Sequence, residues 1–187
     1  SGKPIVTNRL MGYLREPHTT QPDINSNGSH FNLNGKIKAQ KADIIYFAGC
    51  MTHLTPGIKN SMMKIFRAAG EKLWFMDEQE GACCGRPLML AGRDREAREL
   101  INYNSGLIWD SGAKMLVTSC PICYNVFKSS YYLDAGVLHH TQYLSLLVDE
   151  EALRLNYSHK KIVYHDPCEL GRIAKVYDEP RRVISWV

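Results

Sequence analysis

Short apolar runs alternate along this chain with longer segments that have apolar residues at helical spacing. Three short runs, at residues 44–47, 73–76 and 115–117, have the length and the content of buried strands. Apolar residues recur at helical spacing through residues 58–69, and Gly70 follows them as a helix-ending residue. The pattern predicts a strand, a helix and a second strand in that order, with the third strand further along.

Two more helices complete this pattern. One begins at about residue 94, and its apolar stripe consists of Ala97, Leu100, Ile101, Leu107 and Ile108. Another begins near Thr141 and has Tyr143, Leu144 and Leu147 on its apolar face. Strands and helices that alternate in this way favour an α/β fold, in which helices pack on the faces of a parallel sheet. Functional groups of such sheets gather in the loops beyond the carboxyl ends of the strands.

Residues 1–40 lack periodicity and contain turn formers at 16–23 and 25–29, which predicts a linker or extended arm. A chain of 187 residues with 44% hydrophobic content is long enough for one globular domain with its own core. The net charge of +4 is spread along the chain, which argues against a nucleic-acid partner. No apolar run reaches the roughly 18 residues of a membrane span, and no signal peptide opens the chain. We therefore expect a cytoplasmic protein, for which a partner is the route to any membrane association.

Six cysteines carry the candidate chemistry, and five of them form a pattern: Cys50, Cys83, Cys84, Cys120 and Cys123. Cys50 and Cys120 each follow a predicted strand, and the adjacent pair follows the remaining strand by a short loop. Three loops are thus expected to converge on one edge of the sheet. A CxxC turn brings two thiolates to one metal ion or cluster. Adjacent cysteines normally point apart, and Gly85 directly after them can adopt the positive φ that a sharp turn requires.

A disulfide framework is the alternative explanation, because an even number of cysteines is typical of secreted scaffolds. This chain is longer than such scaffolds and has enough patterned helices to build its own core. Adjacent cysteines also fit normal disulfide geometry poorly. The cysteines therefore favour metal binding in a reducing compartment.

A short internal repeat is visible between residues 44–50 (IIYFAGC) and residues 162–168 (IVYHDPC). Each copy has a β-branched run, a tyrosine, a short turn and a cysteine, and the offset is 168 − 50 = 118 residues. The repeat predicts one complete unit at residues 41–158 and the truncated start of a second unit at residues 159–187. In this interpretation the chain is a fragment or one subunit of a larger whole.

The spacing of Cys50, the CCG at 83–85 and the CPIC at 120–123 resembles the CCG cysteine-rich domain family. That family includes the B and D subunits of heterodisulfide reductase, the iron–sulfur subunit of glycolate oxidase and lactate-utilisation proteins. The resemblance runs from about residue 41 to the end of the chain, and residues 118–125, 164–172 and 176–182 are most similar to the heterodisulfide reductase D branch. It implies that this α/β unit is a Rossmann-like half of a pseudo-duplicated protein.

The same resemblance implies a non-cubane [4Fe–4S] cluster held by the five cysteines of the pattern. Five ligands agree with this, because an ordinary cubane needs only four thiolates. Cys168 would be the first ligand of a second motif that is incomplete in this sequence. The ferredoxin-type cysteine runs of the family are missing here, so electrons are expected from a ferredoxin-type iron–sulfur or flavoprotein partner.

Three functions are consistent with these cysteines. The first is an iron–sulfur electron-transfer module of a heterodisulfide-reductase-like oxidoreductase, as a part and not a complete enzyme. The second is a structural zinc domain that uses four of the five thiolates, and zinc also enters thiolate sites when a cluster is lost. The third is a metal-free thiol–disulfide oxidoreductase that uses Cys120 and Cys123, which leaves the three other cysteines without a role. We favour the first.

Other polar residues give weaker evidence of a functional site. His139, His140 and His165 are candidate ligands, but satisfied histidines at the end of a strand or helix explain them more simply. Arg86 either stabilises the charge of a reduced cluster or pairs with a surface carboxylate. The sequence has no Gly-rich dinucleotide fingerprint and no phosphate loop, so no NAD or ATP site is expected.

Overall fold

The computed structural model describes residues 37–78 and 82–187. Most of the predicted N-terminal arm, residues 1–40, lies outside the described residues. Within them, none of the helices combines the length and the apolar character needed to cross a membrane.

The centre of the fold is a sheet of four parallel strands in the order β2-β1-β3-β4. The strands are β1 (Ile44–Phe47), β2 (Leu73–Phe75), β3 (Met115–Thr118) and β4 (Gly136–His139). β1 and β3 pair in register from Ile44 opposite Met115 to Phe47 opposite Thr118. The prediction of a parallel α/β fold is confirmed, and β4 is an additional strand that the apolar pattern did not indicate.

Seven α-helices occur in the described residues: α1 (Cys50–His53), α2 (Pro56–Ala69), α3 (Arg86–Leu90), α4 (Asp94–Ser111), α5 (Pro121–Ser130), α6 (His140–Asp149) and α7 (Asp178–Ser185). The predicted helices at 58–69, from 94 and from 141 correspond to α2, α4 and α6. Gly70 ends α2 in the left-handed region at φ 71°, as predicted. The helices α1, α3, α5 and α7 were not predicted.

Alternate strand residues face opposite layers of helices. Ile45, Phe47 and Leu116 belong to a core that also contains residues of α4 and α5. Ile44, Tyr46 and Val117 belong to a second core that contains residues of α2 and α6. Every residue of β1, β3 and β4 is buried, because helices cover both faces of the sheet.

The order of the strands creates a switch point between β1 and β3. The chain leaves β1 towards β2 on one side, then returns past β1 to β3 and continues to β4 on the other side. At the carboxyl edge of the sheet, the loops after the neighbouring strands β1 and β3 therefore turn in opposite directions. This is where open α/β sheets bind their ligands, and here it is where Cys50 and Cys120 emerge.

The C-terminal segment packs against α5 and α6 but adds no strand to the sheet. A π-helical turn at Glu169–Ile173 receives two hydrogen bonds from the Asn125 side chain of α5. Arg182 of α7 forms an ion pair with Asp149 of α6 at 2.6 Å. Residues 162–164, which echo β1 in sequence, form no strand, and their exposed fractions are 59%, 99% and 36%. A parallel strand needs a neighbour to pair with, and no described strand lies beside this segment.

The double-sided burial of the central strands gives a direct test. Leu116 of β3 has an exposed fraction of 0%, whereas Leu54 is 77% exposed. We expect Leu116→Ala to lower the free energy of unfolding by about 2–5 kcal/mol, because it leaves a cavity in the core. Leu54→Ala should change it by less than about 0.5 kcal/mol. Urea denaturation followed by circular dichroism measures both, and equal effects would contradict this packing.

Candidate functional site

The loop after β1 presents Cys50 at the start of α1. Gly49 precedes it with φ 84° and ψ 149°, a backbone conformation that residues with a side chain rarely adopt. The Asp77 carboxylate lies under this loop and accepts the backbone N–H groups of Ala48 and Gly49, each at 2.8 Å. His53, at the end of α1, contacts the same carboxylate through Nε2 at 3.1 Å. The loop is therefore held on both sides of Cys50.

Gly49 also lets this loop approach the CxxC segment. A Cβ atom at position 49 would lie 2.7 Å from Cys120 Cβ and 3.1 Å from Cys123 Sγ. The first of these contacts is closer than real Cβ atoms allow. A glycine is therefore required here for two reasons, its dihedral angles and the proximity of the two cysteines.

The adjacent cysteines lie on a turn that is fixed by buried polar side chains. Gly85 after them has φ 97°, so the predicted positive φ is confirmed. Asn104 of α4 donates through Nδ2 to the carbonyl oxygen of Cys83 at 2.9 Å. The Tyr131 hydroxyl, which also accepts from Asn104 Nδ2, donates to the carbonyl oxygen of Cys84 at 3.2 Å. Both peptide carbonyls of the pair are thus held by side chains that lie far from them in the sequence.

The CxxC pair spans the start of α5. Cys120 is the residue before the helix, Pro121 is its first residue, and Cys123 lies one turn further on the buried face. The pKa of the Cys120 thiol is lowered by the hydrogen bond from the Cys123 thiol, and also by the backbone N–H groups of Cys123 and Ile122. A helix N-terminus favours negative charge, so this position suits a thiolate.

The thiols of Cys83, Cys84, Cys120 and Cys123 form one hydrogen-bonded network. Hydrogen bonds from the thiols of Cys123 and Cys83 lower the pKa of Cys84. The pKa of Cys123 is raised because its proton is shared with Cys120 and Cys84, and the pKa of Cys83 is raised mainly by its bond to Cys84. The four sulfurs thus share their protons within one network. Binding of a metal cofactor would release the remaining protons, because thiolates are the ligands.

Cys50 and Cys168 differ from these four in their exposure. Cys50 is exposed but lies within electrostatic range of Cys83, whose pKa it helps to raise. Cys168 is exposed at the residue before the π-helical turn and shares no hydrogen bond with the other cysteines in the described residues. All six are free thiols. Across residues 37–78 and 82–187, no three His, Cys, Asp or Glu side chains are arranged as a site for a metal ion.

Comparison with known proteins identifies this arrangement. Residues 44–128 match the family model described as the CCG cysteine-rich domain. They extend from β1 through the CxxC pair to α5 and so contain all five cysteines of the pattern. This part of the chain is a CCG cysteine-rich domain.

Curated relatives of the chain are oxidoreductases or their subunits by name, and one of them is named as iron–sulfur-binding. The D subunit of the dihydromethanophenazine:CoB–CoM heterodisulfide reductase of Methanosarcina barkeri is 32% identical over 158 residues, which is 79% of this chain and 38% of that protein. The "probable iron-sulfur-binding oxidoreductase FadF" of Bacillus subtilis is 30% identical over 81% of this chain and 22% of its own length. The EtfAB:quinone oxidoreductase of Syntrophomonas wolfei is 29% identical over 76% of this chain and 21% of its own length.

The chain thus spans about two fifths of the heterodisulfide reductase polypeptide and about one fifth of the other two relatives. No solved structure gives a significant match. The resemblance to the CCG family that the cysteine spacing carries is confirmed by these comparisons.

His139, His140 and His165 do not join the cysteine network. His139 ends β4 and caps α6, and its Nδ1 contacts the Thr141 hydroxyl at 2.9 Å. Burial lowers the pKa of both His139 and His140, so these rings are neutral. The two histidines lie at the expected end of a strand and end of a helix. Their hydrogen bonding is incomplete, because among the described residues His139 Nε2 and His140 Nδ1 are buried without a partner. His165 is exposed in the C-terminal segment.

Arg86 has no carboxylate partner among the described residues, so the surface ion pair considered from the sequence is not formed there. Its backbone N–H contributes to lowering the pKa of Cys84. The side chain lines a groove of about 390 Å³ that also includes Ile122 of the CxxC segment, Asn125 and Glu169. The groove is therefore lined by residues that lie next to both cysteine pairs in the sequence, but by none of the cysteines themselves.

Four residues that hold the cysteines were missed by the sequence analysis: Gly49, Asp77, Asn104 and Tyr131. Asp77 had a detectable signal, because it follows the apolar run 73–76 directly and so lies at the carboxyl edge of the sheet. Asn104 and Tyr131 had none, since each reaches the cysteines across a distance of more than twenty residues in the sequence.

The close approach of Gly49 can be tested with a matched pair of glycines. Gly49→Ala places a methyl group against Cys120 and forces an alanine into φ 84°, so it should lower the free energy of unfolding by about 1–3 kcal/mol. Gly57→Ala in α2 meets nothing within 4 Å and should raise that free energy by about 0.4–1 kcal/mol. Denaturant unfolding of both variants gives the comparison. A stable Gly49→Ala variant would contradict the geometry of the loop.

The hydrogen bonds that hold the carbonyl groups of the adjacent cysteines are tested by removing one hydroxyl group. Tyr131→Phe leaves the buried Cys84 carbonyl without its donor, so unfolding should require about 1–3 kcal/mol less. Tyr132, at 47% exposed, is the matched control, and Tyr132→Phe should have no measurable effect. The two variants are compared by thermal and urea unfolding.

Proposed function

We propose that this CCG protein is an iron–sulfur electron-transfer module of a heterodisulfide-reductase-like oxidoreductase. The observation that carries the proposal is the convergence of three cysteine-bearing loops on the switch point of the sheet. One relative of the domain is named as a probable iron-sulfur-binding oxidoreductase. In this proposal Cys50, Cys83, Cys84, Cys120 and Cys123 hold one non-cubane [4Fe–4S] cluster. The module works as part of a larger oxidoreductase.

Two local features support such a group. Gly49 removes the side chain that would fill the space beside Cys120 and Cys123. The N–H of Gly85 points at Cys83 Sγ at 3.5 Å, and N–H groups at the start of α5 favour the thiolate form of Cys120. Hydrogen bonds to ligand sulfurs are one of the means by which a protein adjusts the potential of an iron–sulfur centre.

Bound at these cysteines, a cluster would supply one-electron transfer. The contribution of the chain is to hold the thiolates, to donate N–H groups to their sulfurs and to keep Cys84, Cys120 and Cys123 buried away from water. The exposed edge at Cys50 and the groove beside Arg86 leave access from solvent. We propose that a ferredoxin-type or flavoprotein partner delivers electrons at this edge, and that the final acceptor is a disulfide, as the name of the Methanosarcina relative suggests.

Two further parts of the proposal concern the whole protein. Free thiols must stay reduced, so we place the protein in a reducing compartment such as the cytoplasm. We also propose that residues 41–158 form a complete unit and that residues 159–187 open a second one, with Cys168 as its first ligand. The exposure of Ile162 and Val163 supports this, because apolar residues of a strand sequence require a neighbouring strand to be buried.

The proposal is tested by iron and acid-labile sulfide analysis, with EPR, on chain purified or reconstituted without oxygen. We expect about four irons and four sulfides per chain. Single Cys→Ser changes at Cys83, Cys84, Cys120 or Cys123 should lower both contents together, because each removes a ligand from the network. Cys168→Ser is the matched control and should retain iron and sulfide as in the unmodified chain.

Two outcomes would contradict the cluster. One zinc per chain without acid-labile sulfide, after anaerobic reconstitution, would instead establish the structural zinc domain. A metal-free chain that reduces disulfides through Cys120 and Cys123 alone would establish the thiol–disulfide oxidoreductase.

A further inference from the structure

Asp77 is a buried carboxylate in the loop that follows β2, and it is not part of the cysteine pattern. Its side chain is 1% exposed, and that of His53 beside it is 6% exposed. Burial raises the pKa of Asp77, and the N–H groups of Gly49 and Ala48 oppose this rise. A buried carboxyl group is costly unless its oxygens are hydrogen-bonded, so these contacts explain how it is accommodated.

We propose that Asp77 is a positioning residue that fixes the Cys50 loop against the CxxC segment, with His53 closing the contact from the far side of Cys50. The inference rests on the proposed function only in its final step, the retention of the cluster. The geometry that supports it involves the loop itself and not the cofactor.

The pattern of contacts requires a carboxylate. Ala48 donates to Oδ1 and Gly49 to Oδ2, so both oxygens serve as acceptors for consecutive backbone N–H groups. An asparagine would present one acceptor and one donor, and its NH₂ group would face an N–H. Asp77→Asn therefore keeps the volume of the side chain but breaks one of these contacts.

The path from Asp77 to the cysteines is short. Position 49 has no room for a side chain, because it lies against Cys120 and Cys123. The Asp77 carboxylate that accepts the Gly49 N–H therefore also sets the separation between the Cys50 loop and the CxxC segment. Cys50 lies between Gly49 and His53, and both of these residues contact Asp77 Oδ2. The ring of His53 is in turn stacked on Phe75 of β2, with ring centroids 6.0 Å apart. One carboxylate thus connects three parts of the site: the end of β1, α1 and the loop after β2.

The first measurement is amide hydrogen exchange on the cluster-free chain. Asp77→Asn should speed exchange at Ala48 and Gly49 by about tenfold or more, because each N–H loses a charged or correctly oriented acceptor. Amides of β1 and β3 should exchange as in the unmodified chain. Unchanged exchange at Ala48 and Gly49 would overturn the proposal without reference to any cluster.

The second measurement is iron release from the reconstituted chain to a chelator, together with its EPR spectrum. Asp77→Asn should release iron about tenfold faster and alter the EPR signal, since Cys50 is no longer held in place. Asp43→Asn, an exposed residue, controls for charge, and Ile108→Val, in the core at the far end of α4, controls for stability. Iron release at the rate of the unmodified chain, with faster exchange at Ala48 and Gly49, would also overturn the positioning role.

Two substitutions of His53 provide a separate test in case Asp77→Asn unfolds the whole chain. His53→Gln retains a donor near the position of Nε2 and should release iron as the unmodified chain does, whereas His53→Leu should release it faster. Equal rates for these two variants would overturn the proposal. Failure of the unmodified chain to take up iron and sulfide would count against the cluster instead, and the exchange experiment would still decide the role of Asp77 in the loop.

Discussion

The parallel pairing of β1 with β3 is the constraint on which the site depends. Because these strands are neighbours in register, with Phe47 opposite Thr118, the residues that follow them leave the sheet side by side. A buried hydrogen bond of 2.8 Å between the hydroxyls of Tyr46 and Ser119 connects the same two strand ends. A slip of one residue would exchange the two faces of β3 and separate Gly49 from Cys120. The position of the cysteine site therefore depends first on the register of the sheet.

Polar side chains from outside the cysteine pattern convert this proximity into a defined geometry. Asp77 holds the backbone before Cys50, and Asn104 with Tyr131 holds the carbonyls of the adjacent pair. These groups lie in the interior, where a hydrogen bond is strong and an unpaired polar group is costly. The protein's own hydrogen bonds consequently fix the Cys50 loop and the turn of the adjacent cysteines, which is the arrangement expected of a preorganised site.

The family match covers only part of the sheet and its helices. It ends at residue 128, near the end of α5, and so includes the three loops that carry the five cysteines. β4 and α6 follow the match and complete the sheet and one of its helical layers, whereas the C-terminal segment packs on α5 and α6 without a strand of its own. The part that carries the chemistry is thus smaller than the part that buries the core.

Local patterns were sufficient for much of this protein. Short apolar runs and helical spacing predicted three strands and three helices, and the cysteine spacing together with Gly85 predicted the family and the turn after the adjacent pair. The helix α5 and the strand β4 were missed, because a helix that begins within a CxxC and a strand that ends in a histidine have weak local signals. Residues 162–164 repeat the sequence of β1 yet form no strand, since a strand exists only when its hydrogen bonds have a neighbour. Strand order, the placement of Gly49 against Cys120 and the contacts of Asp77, Asn104 and Tyr131 join residues far apart in the sequence, so only the packed sheet and its helices could decide them.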